Sequence, residues 1–593
     1  MRRGQMITTY GVGAMVAIGD RSYIVTGIDH WNVDAEKFAI HEPRLQHQLK
    51  VKGFRLPPAW DEPAGDGVRV RLFPEIHSCP ECHRLQEYRR FGADRDGRCG
   101  GCGRTLVPSR FVVACENGHL DEFPYYEWVH RKTDGETVSG DGHRLSLHTT
   151  GRTASLRSIV VECSCGKKAS LEGAFGKSAM KRISLRCSGA TPWLGRDARE
   201  EGCQATPRTL QRGASAAWFP VYRSALSIPP WSQSMHKRLN ADYPMLKRLL
   251  QLDPSGKEAI DSIREKGLLK EGADPESLLA ALRERIEDEE RASVEDPEEA
   301  DASVIEVGGR VREEEYAQLS EGTDHVERGD EFECVRPPEV PGVQRPPKIG
   351  GVMLAKRLRE VRALESFTRV IAPDEGMESV RLASISGEEM DWLPAIEVSG
   401  EGVFLTLDQE ALRTWEKGEG PRRRADLLRE RHLGVLRRRA EEAGETRTPR
   451  TPVSPRFVLL HTLSHMLLNE WSLDAGYPAS ALRERLYVGP DMAGILIYTA
   501  TSDSAGSLGG LVAQGRYDRL TTSLHGALGR HRWCSQDPTC MESHASGVDG
   551  LNLAACHACV LLPETSCENN NLFLDRAMVV GTPEAPSIGF YGE

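Results

Sequence analysis

Hydrophobic and polar positions change period several times along the chain, and each change predicts a different kind of element. From Thr8 to about Leu72, runs such as Ser22-Tyr23-Ile24-Val25-Thr26-Gly27 alternate with turn residues, which predicts short β-strands. Residues from about 75 to 210 show little helical periodicity. Between Trp231 and Glu290 the apolar positions take helical spacing, as in Leu246-Leu249-Leu250 and Leu278-Leu279-Leu282. An acidic run from Glu284 to Asp301 follows and reads as a solvated helix end or linker. Prolines in Arg336-Pro337-Pro338-Glu339-Val340-Pro341 and at Pro346-Pro347 predict a hinge. Beyond it, Gly350 to Val370 and Trp392 to Trp415 read as mixed α/β material, with Gly402 to Leu407 a strand leading into a helix. An Arg-rich helix is expected from Pro421 to Arg447, broken by Thr448-Pro449-Arg450-Thr451-Pro452. The last part opens near Ser454 with an apolar helix, Phe457 to Leu468, then a strand, Gly494 to Thr499, and a glycine-rich turn, Gly506 to Gly510.

At 593 residues the chain exceeds what one hydrophobic core organises, so several domains are expected. No apolar stretch approaches the roughly 18 to 20 residues that span a bilayer, which excludes a helical membrane protein. Met1-Arg2-Arg3-Gly4-Gln5 is not followed by the apolar run of an export signal, and a cytoplasmic location is expected. The net charge of -11 provides no general attraction to nucleic acid, so DNA contact requires a local basic surface or a partner.

Cysteine changes the picture most. Fourteen of the fifteen cysteines fall in clusters with short spacings, which favours thiolate ligands in a reducing compartment over disulfides. Cys79-Pro80-Glu81-Cys82 and, sixteen residues on, Cys99-Gly100-Gly101-Cys102 have the spacing of a tetrahedral zinc ribbon. A second set, Cys163, Cys165, Cys187 and Cys203, is expected to hold a second zinc, with Cys115 and His119 as substitutes for its distant members. The favoured role for Cys115 is a buried thiol, with His119 hydrogen-bonded locally. A third zinc is expected on Cys540, Cys556, Cys559 and Cys567, with Cys534 in reserve. About three structural zinc ions follow, each enclosed by protein sulfur, with no open position for a catalytic water.

The fold class expected is therefore α+β and multidomain, with small zinc-ribbon modules in the N-terminal half and an α/β C-terminal domain carrying a zinc site of four cysteines. Five segments are expected: a β-rich module (1–75), a double zinc-binding module (76–210), a helical segment with an acidic linker (211–345), a mixed α/β segment ending in the Arg-rich helix (346–450), and a zinc-binding domain (451–593).

Signals for catalysis are weaker. His461-Thr462-Leu463-Ser464-His465 puts two imidazoles on one helical face, but Thr462 stands where a zinc protease carries its glutamate, so packing is the favoured role. A metal-dependent nuclease or hydrolase using His461, His465 and Asp503 is the enzymatic alternative. Gly173-Ala174-Phe175-Gly176-Lys177-Ser178 resembles a phosphate loop but has Leu171 in place of the first glycine. No catalytic residue is assigned. The dense positive stripe Arg422, Arg423, Arg424, Arg437, Arg438 and Arg439 holds the candidates for DNA contact, and a free-standing DNA-binding module is a further alternative.

Several strings carry a family resemblance: Arg3-Gly4-Gln5-Met6-Ile7-Thr8-Thr9-Tyr10-Gly11-Val12-Gly13-Ala14, Cys115-Glu116-Asn117-Gly118-His119-Leu120-Asp121-Glu122-Phe123-Pro124, Trp392-Leu393-Pro394-Ala395-Ile396-Glu397, the His461–His465 string, and Ala555 through Cys567. Together they resemble the DrmB family of the DISARM antiphage system. The last 140 or so residues are also similar to the zinc-binding domain at the C-terminus of certain DNA-repair helicases, matched here at Cys556, Cys559, Cys567, Asn569 and Leu574-Asp575, with a lengthened interval between Cys540 and Cys556. The resemblance implies a protein without its own motor that assembles with the helicase-like DrmA, the pair engaging foreign DNA alongside methyltransferase and phospholipase D-like components; the lack of a long apolar stretch predicts no membrane partner.

Overall fold

The computed structural model describes residues 2–33, 37–60, 67–94, 96–131, 142–150, 155–233, 242–267, 275–276, 278–280, 282–283, 286, 309–373, 381–443, 450–499 and 509–592. The fold is α+β and multidomain. Its centre is a sheet in which Phe219–Leu226, Ile349–Thr368, Trp392–Leu407, Ala493–Thr499 and Leu482–Val488 lie side by side in that order, all antiparallel. This sheet takes strands from three of the segments distinguished by sequence, 211–345, 346–450 and 451–593.

One face of the sheet is covered by the helix Pro455–Asp474, whose residues from Arg456 to Leu468 are all buried. A helix apolar on every side belongs inside a core. Ser454 starts it by accepting a hydrogen bond from the Phe457 amide at 3.2 Å, Pro455 occupies the first turn, and Gly476 ends it in the left-handed region. Leu459, Leu463, Val403, Ile495 and Ile497 meet in the resulting core. The other face packs Leu226, Phe404, Tyr487 and Leu496 beside the helix Gly309–Glu321.

The opening motif has a structural role. Gly13 lies at φ +79°, and a Cβ there would stand 2.4 Å from the Phe367 ring, so glycine alone fits against the central sheet. The fully buried Arg369 guanidinium donates to the carbonyls of Gly13, Ala217 and Gly118, joining this motif to the loop that follows Cys115. The N-terminal half adds a three-stranded sheet (Leu120–Glu122, Phe111–Ala114, Arg208–Gln211) and a six-stranded sheet that includes Arg84–Glu87, Leu145–Thr149 and Ile159–Cys163. Among the described residues no helix is long and apolar enough to cross a membrane.

Candidate metal centres

Fourteen cysteines, all but the buried Cys334, fall in clusters whose donor atoms lie within 4.8 Å of one another. In the first, Cys79 Sγ is 3.3 Å from Cys102 Sγ and Cys82 Sγ is 3.9 Å from Cys99 Sγ. A tetrahedral ion with Zn–S bonds of about 2.3 Å sets sulfur–sulfur separations of about 3.8 Å. The two Cys-x-x-Cys loops have the same shape: the His83 amide donates to Cys79 O at 2.9 Å and the Gly103 amide to Cys99 O at 2.8 Å. Both His83 and Gly103 take positive φ, which turns the chain back around the sulfurs.

The expected set of Cys163, Cys165, Cys187 and Cys203 does not converge. Cys163 ends a strand of the six-stranded sheet, whereas Cys187 lies beside the three-stranded one, so two sheets divide the four thiols between two sites. Cys187 and Cys203 meet Cys115 and His119, which are therefore members of a cluster and not a lone thiol with a locally bonded histidine. His119 Nδ1 is 3.3 Å from Cys115 Sγ and 3.5 Å from Cys187 Sγ, while its Nε2 is 2.9 Å from a Glu200 oxygen. A carboxylate on the far nitrogen fixes the tautomer and aims the ring, as around metal-bound imidazoles. Hydrogen bonding from Cys115 and then from His119 outweighs burial and lowers the pKa of the Cys187 thiol, the direction that favours a thiolate ligand.

Cys163 and Cys165 meet His130 and His143. His143 Nδ1 is 3.0 Å from Cys163 Sγ and His130 Nε2 is 3.4 Å from Cys165 Sγ. His130 Nδ1 donates to Tyr126 O at 2.7 Å, again orienting a ring through its other nitrogen. Sequence reading missed both histidines. One signal was available: a Cys-x-Cys pair needs two more donors, and pairing Leu145 with Cys163 across a hairpin carries residue 143 to the Cys163 turn.

In the C-terminal domain Cys534, Cys540, Cys556 and Cys559 converge, with Sγ separations of 3.5 Å (Cys534–Cys556), 3.8 Å (Cys540–Cys559) and 3.6 Å (Cys556–Cys559). Cys534 thus takes the place expected for Cys567. The loop after Leu562 is closed by Asn571, which exchanges two hydrogen bonds with the Leu562 backbone, and it carries Cys567 away to the buried helix, 3.2 Å from His461 Nε2.

Comparison with known proteins decides the family. The MrfA Zn-binding domain family matches residues 463–560, which include all four of these converging cysteines, and a domain of unknown function (DUF8724) matches residues 2–219. The DISARM protein DrmB of Bacillus paralicheniformis is 32% identical over 587 residues, covering 96% of this chain and 98% of that protein. The chain belongs to the DrmB family. As a DrmB-family protein it is a component of the DISARM class, and its C-terminal part is a zinc-binding domain in which four cysteines converge.

The remaining candidates sort by exposure. On the helix Glu419–Ala443, Arg424 is committed to the fully buried Asp575 at 2.5 and 2.9 Å, and Arg439 is paired with Asp549 at 2.7 Å. These two are corrected from DNA-contact candidates to fold contacts. Arg422, Arg423, Arg437 and Arg438 are exposed. At about 100° per residue Arg423 and Arg437 come within about 40° of each other, whereas Arg422 and Arg438 stand about 160° apart, so the four spread over nearly half of the helix circumference. His461 and His465 are fully buried, and Asp503 lies outside the described residues. The Gly173–Ser178 segment leads into a helix of only four residues, Ala179–Arg182, and not into the long helix a phosphate loop needs.

Proposed function

We propose that this chain is the non-motor, zinc-stapled scaffold of a DISARM complex, that it partners a helicase-like ATPase of the DrmA kind in the cytoplasm, and that the pair engages foreign DNA. The observation that carries the reading is the likeness to a DISARM protein along nearly the whole length of both chains, which includes the regions holding all four sulfur-rich clusters. Each cluster offers four protein donors, enough to fill a tetrahedral ion, so four zinc ions hold shape and activate no water. The work of moving along DNA belongs to the partner, and this chain does no chemistry of its own.

DNA contact is assigned to the exposed face of Arg422, Arg423, Arg437 and Arg438. Co-expressed with a DrmA-type ATPase, the chain is expected to co-elute with it at micromolar concentration and to bind DNA as a complex. Replacing the four arginines by glutamate is expected to flatten the dependence of log affinity on log salt by about 0.9 for each phosphate no longer neutralised, and by about 0.7 on single strands. Separate elution of the two proteins contradicts the partner reading. Strong salt-sensitive binding by this chain alone favours a free-standing DNA-binding module instead.

A further inference from the structure

Cys567 is the one clustered cysteine outside the four sulfur-rich sites, and its neighbours are His461, His465 and Glu484, all fully or almost fully buried. His461 Nε2 lies 3.2 Å from Cys567 Sγ and 3.1 Å from Glu484 Oε1, and His465 Nε2 lies 3.4 Å from the same oxygen. Bonds of about 2.0 to 2.3 Å to a tetrahedral ion require donor separations of about 3.3 to 3.8 Å, close to these values.

The hydrogen bonds indicate why the atoms converge. His465 Nδ1 is 2.8 Å from Val560 O, and a carbonyl only accepts, so Nδ1 carries the proton and Nε2 of the neutral ring is a lone pair. That Nε2 is buried, aimed into the cluster, and has no hydrogen-bond partner. Cys567 Sγ accepts from the amides of Asn569 at 3.3 Å and Asn571 at 3.2 Å, the treatment a thiolate receives in a zinc knuckle. Ser464 Oγ holds the second oxygen of Glu484. Imidazole nitrogens, a carboxylate and a cysteine sulfur thus confront one another in a buried interior, where polar atoms without a shared cation are costly.

We propose that His461, His465, Glu484 and Cys567 form a fifth, closed metal site, separate from the four-cysteine centre of the same domain. One thiolate and one carboxylate balance the charge of a divalent ion, and sulfur with imidazole selects zinc over magnesium or calcium. The ion ties the helix Pro455–Asp474, the strand Leu482–Val488 and the loop bearing Cys567 into one unit. With four protein donors the site has no vacant position, so its role is structural. A cavity of about 440 Å³, lined by Glu360, Glu568, Arg312 and Arg483 among others, reaches Glu484 and Cys567.

The site stands independently of the DrmA reading. Zinc-edge anomalous diffraction from crystals of the unmodified full chain is expected to show a peak between His461, His465, Glu484 and Cys567, besides the four at the sulfur-rich clusters. Peaks at those four with none here overturn the proposal. In solution, Cys567→Ser and His465→Asn are each expected to lower zinc content by one ion per chain. A folded Cys567→Ser protein that keeps the wild-type zinc count also overturns it, and where that variant does not fold the diffraction result on the wild type decides.

Discussion

Cys82→Ser is expected to unfold the ribbon around Cys79–Cys102 and to release one zinc ion, with the rest of the chain still folded. The ribbon's own core is small: Cys79, Phe91, Cys99 and Leu106 are its buried apolar members, and two of them are ligand candidates. So few side chains cannot offset the ordering entropy of the surrounding loops. Structural zinc supplies on the order of 10 to 16 kcal/mol of apparent binding energy in small zinc-finger peptides, far more than such a cluster can. Limited proteolysis between residues 75 and 110, read beside zinc content, checks this. Normal resistance to protease and an unchanged melting profile would count against it.

Glu315→Ala is expected to destabilise the central sheet by about 3–5 kcal/mol, because it leaves the buried Arg485 guanidinium with only Glu360, 3.8 Å away and shared with Arg362. Glu315 and Arg485 are both inaccessible to solvent and joined by bonds of 2.7 and 2.8 Å. Glu315 also accepts from the Tyr487 hydroxyl at 3.1 Å and the Leu226 amide at 2.8 Å, so one carboxylate fastens the helix Gly309–Glu321 to two strands of the sheet. The double replacement Glu315→Leu with Arg485→Met is expected to recover much of the loss, since an apolar pair carries no desolvation penalty. Urea unfolding of the two variants beside the parent measures the difference. An effect below about 1 kcal/mol for Glu315→Ala would mean that water reaches the arginine.

What could be read from the residues depended on how local the determinant was. The ribbon cysteines lie within one short stretch, and their spacing alone brings them together. The helix Pro455–Asp474 was visible as the apolar run from Phe457 to Leu468 just after Ser454. The strand Ile349–Thr368 was not, because it is buried on both faces and shows no alternation, and its Arg359, Glu360 and Arg362 disguise it as polar. Those charges are tolerated inside because they are paired, Arg362 with Glu360 at 2.6 Å and Arg359 with Glu397, with Glu331 at 3.4 Å and with Glu42 at 3.5 Å. Metal sets assembled from distant segments were legible only in part. Cys115, His119, Cys187 and Cys203 come from segments far apart in the chain, and the exchange of Cys567 for Cys534 depends on where one loop turns. His130 and His143 lie in no cysteine motif: the hairpin register places His143, and the packing of the helix Tyr125–His130 on the strand Ile159–Cys163 places His130.

The Arg-rich helix shows the same limit. Its composition suggests a uniform basic stripe, yet tertiary partners remove Arg424 and Arg439 from the surface, while Arg422, Arg423, Arg437 and Arg438 remain exposed. An arginine's role is set by the carboxylate it meets, and Asp549 and Asp575 are more than a hundred residues away in the chain.

Sulfur-bound metal as the organiser of this fold is tested most directly by measuring zinc per chain on purified, folded protein, before and after a strong chelator. At least four ions per chain are expected from the sulfur-rich clusters, five with the buried His-Glu-Cys site, and their removal is expected to abolish the cooperative unfolding of the N-terminal half. A chain that contains no zinc and yet melts as a fully folded protein would contradict the account.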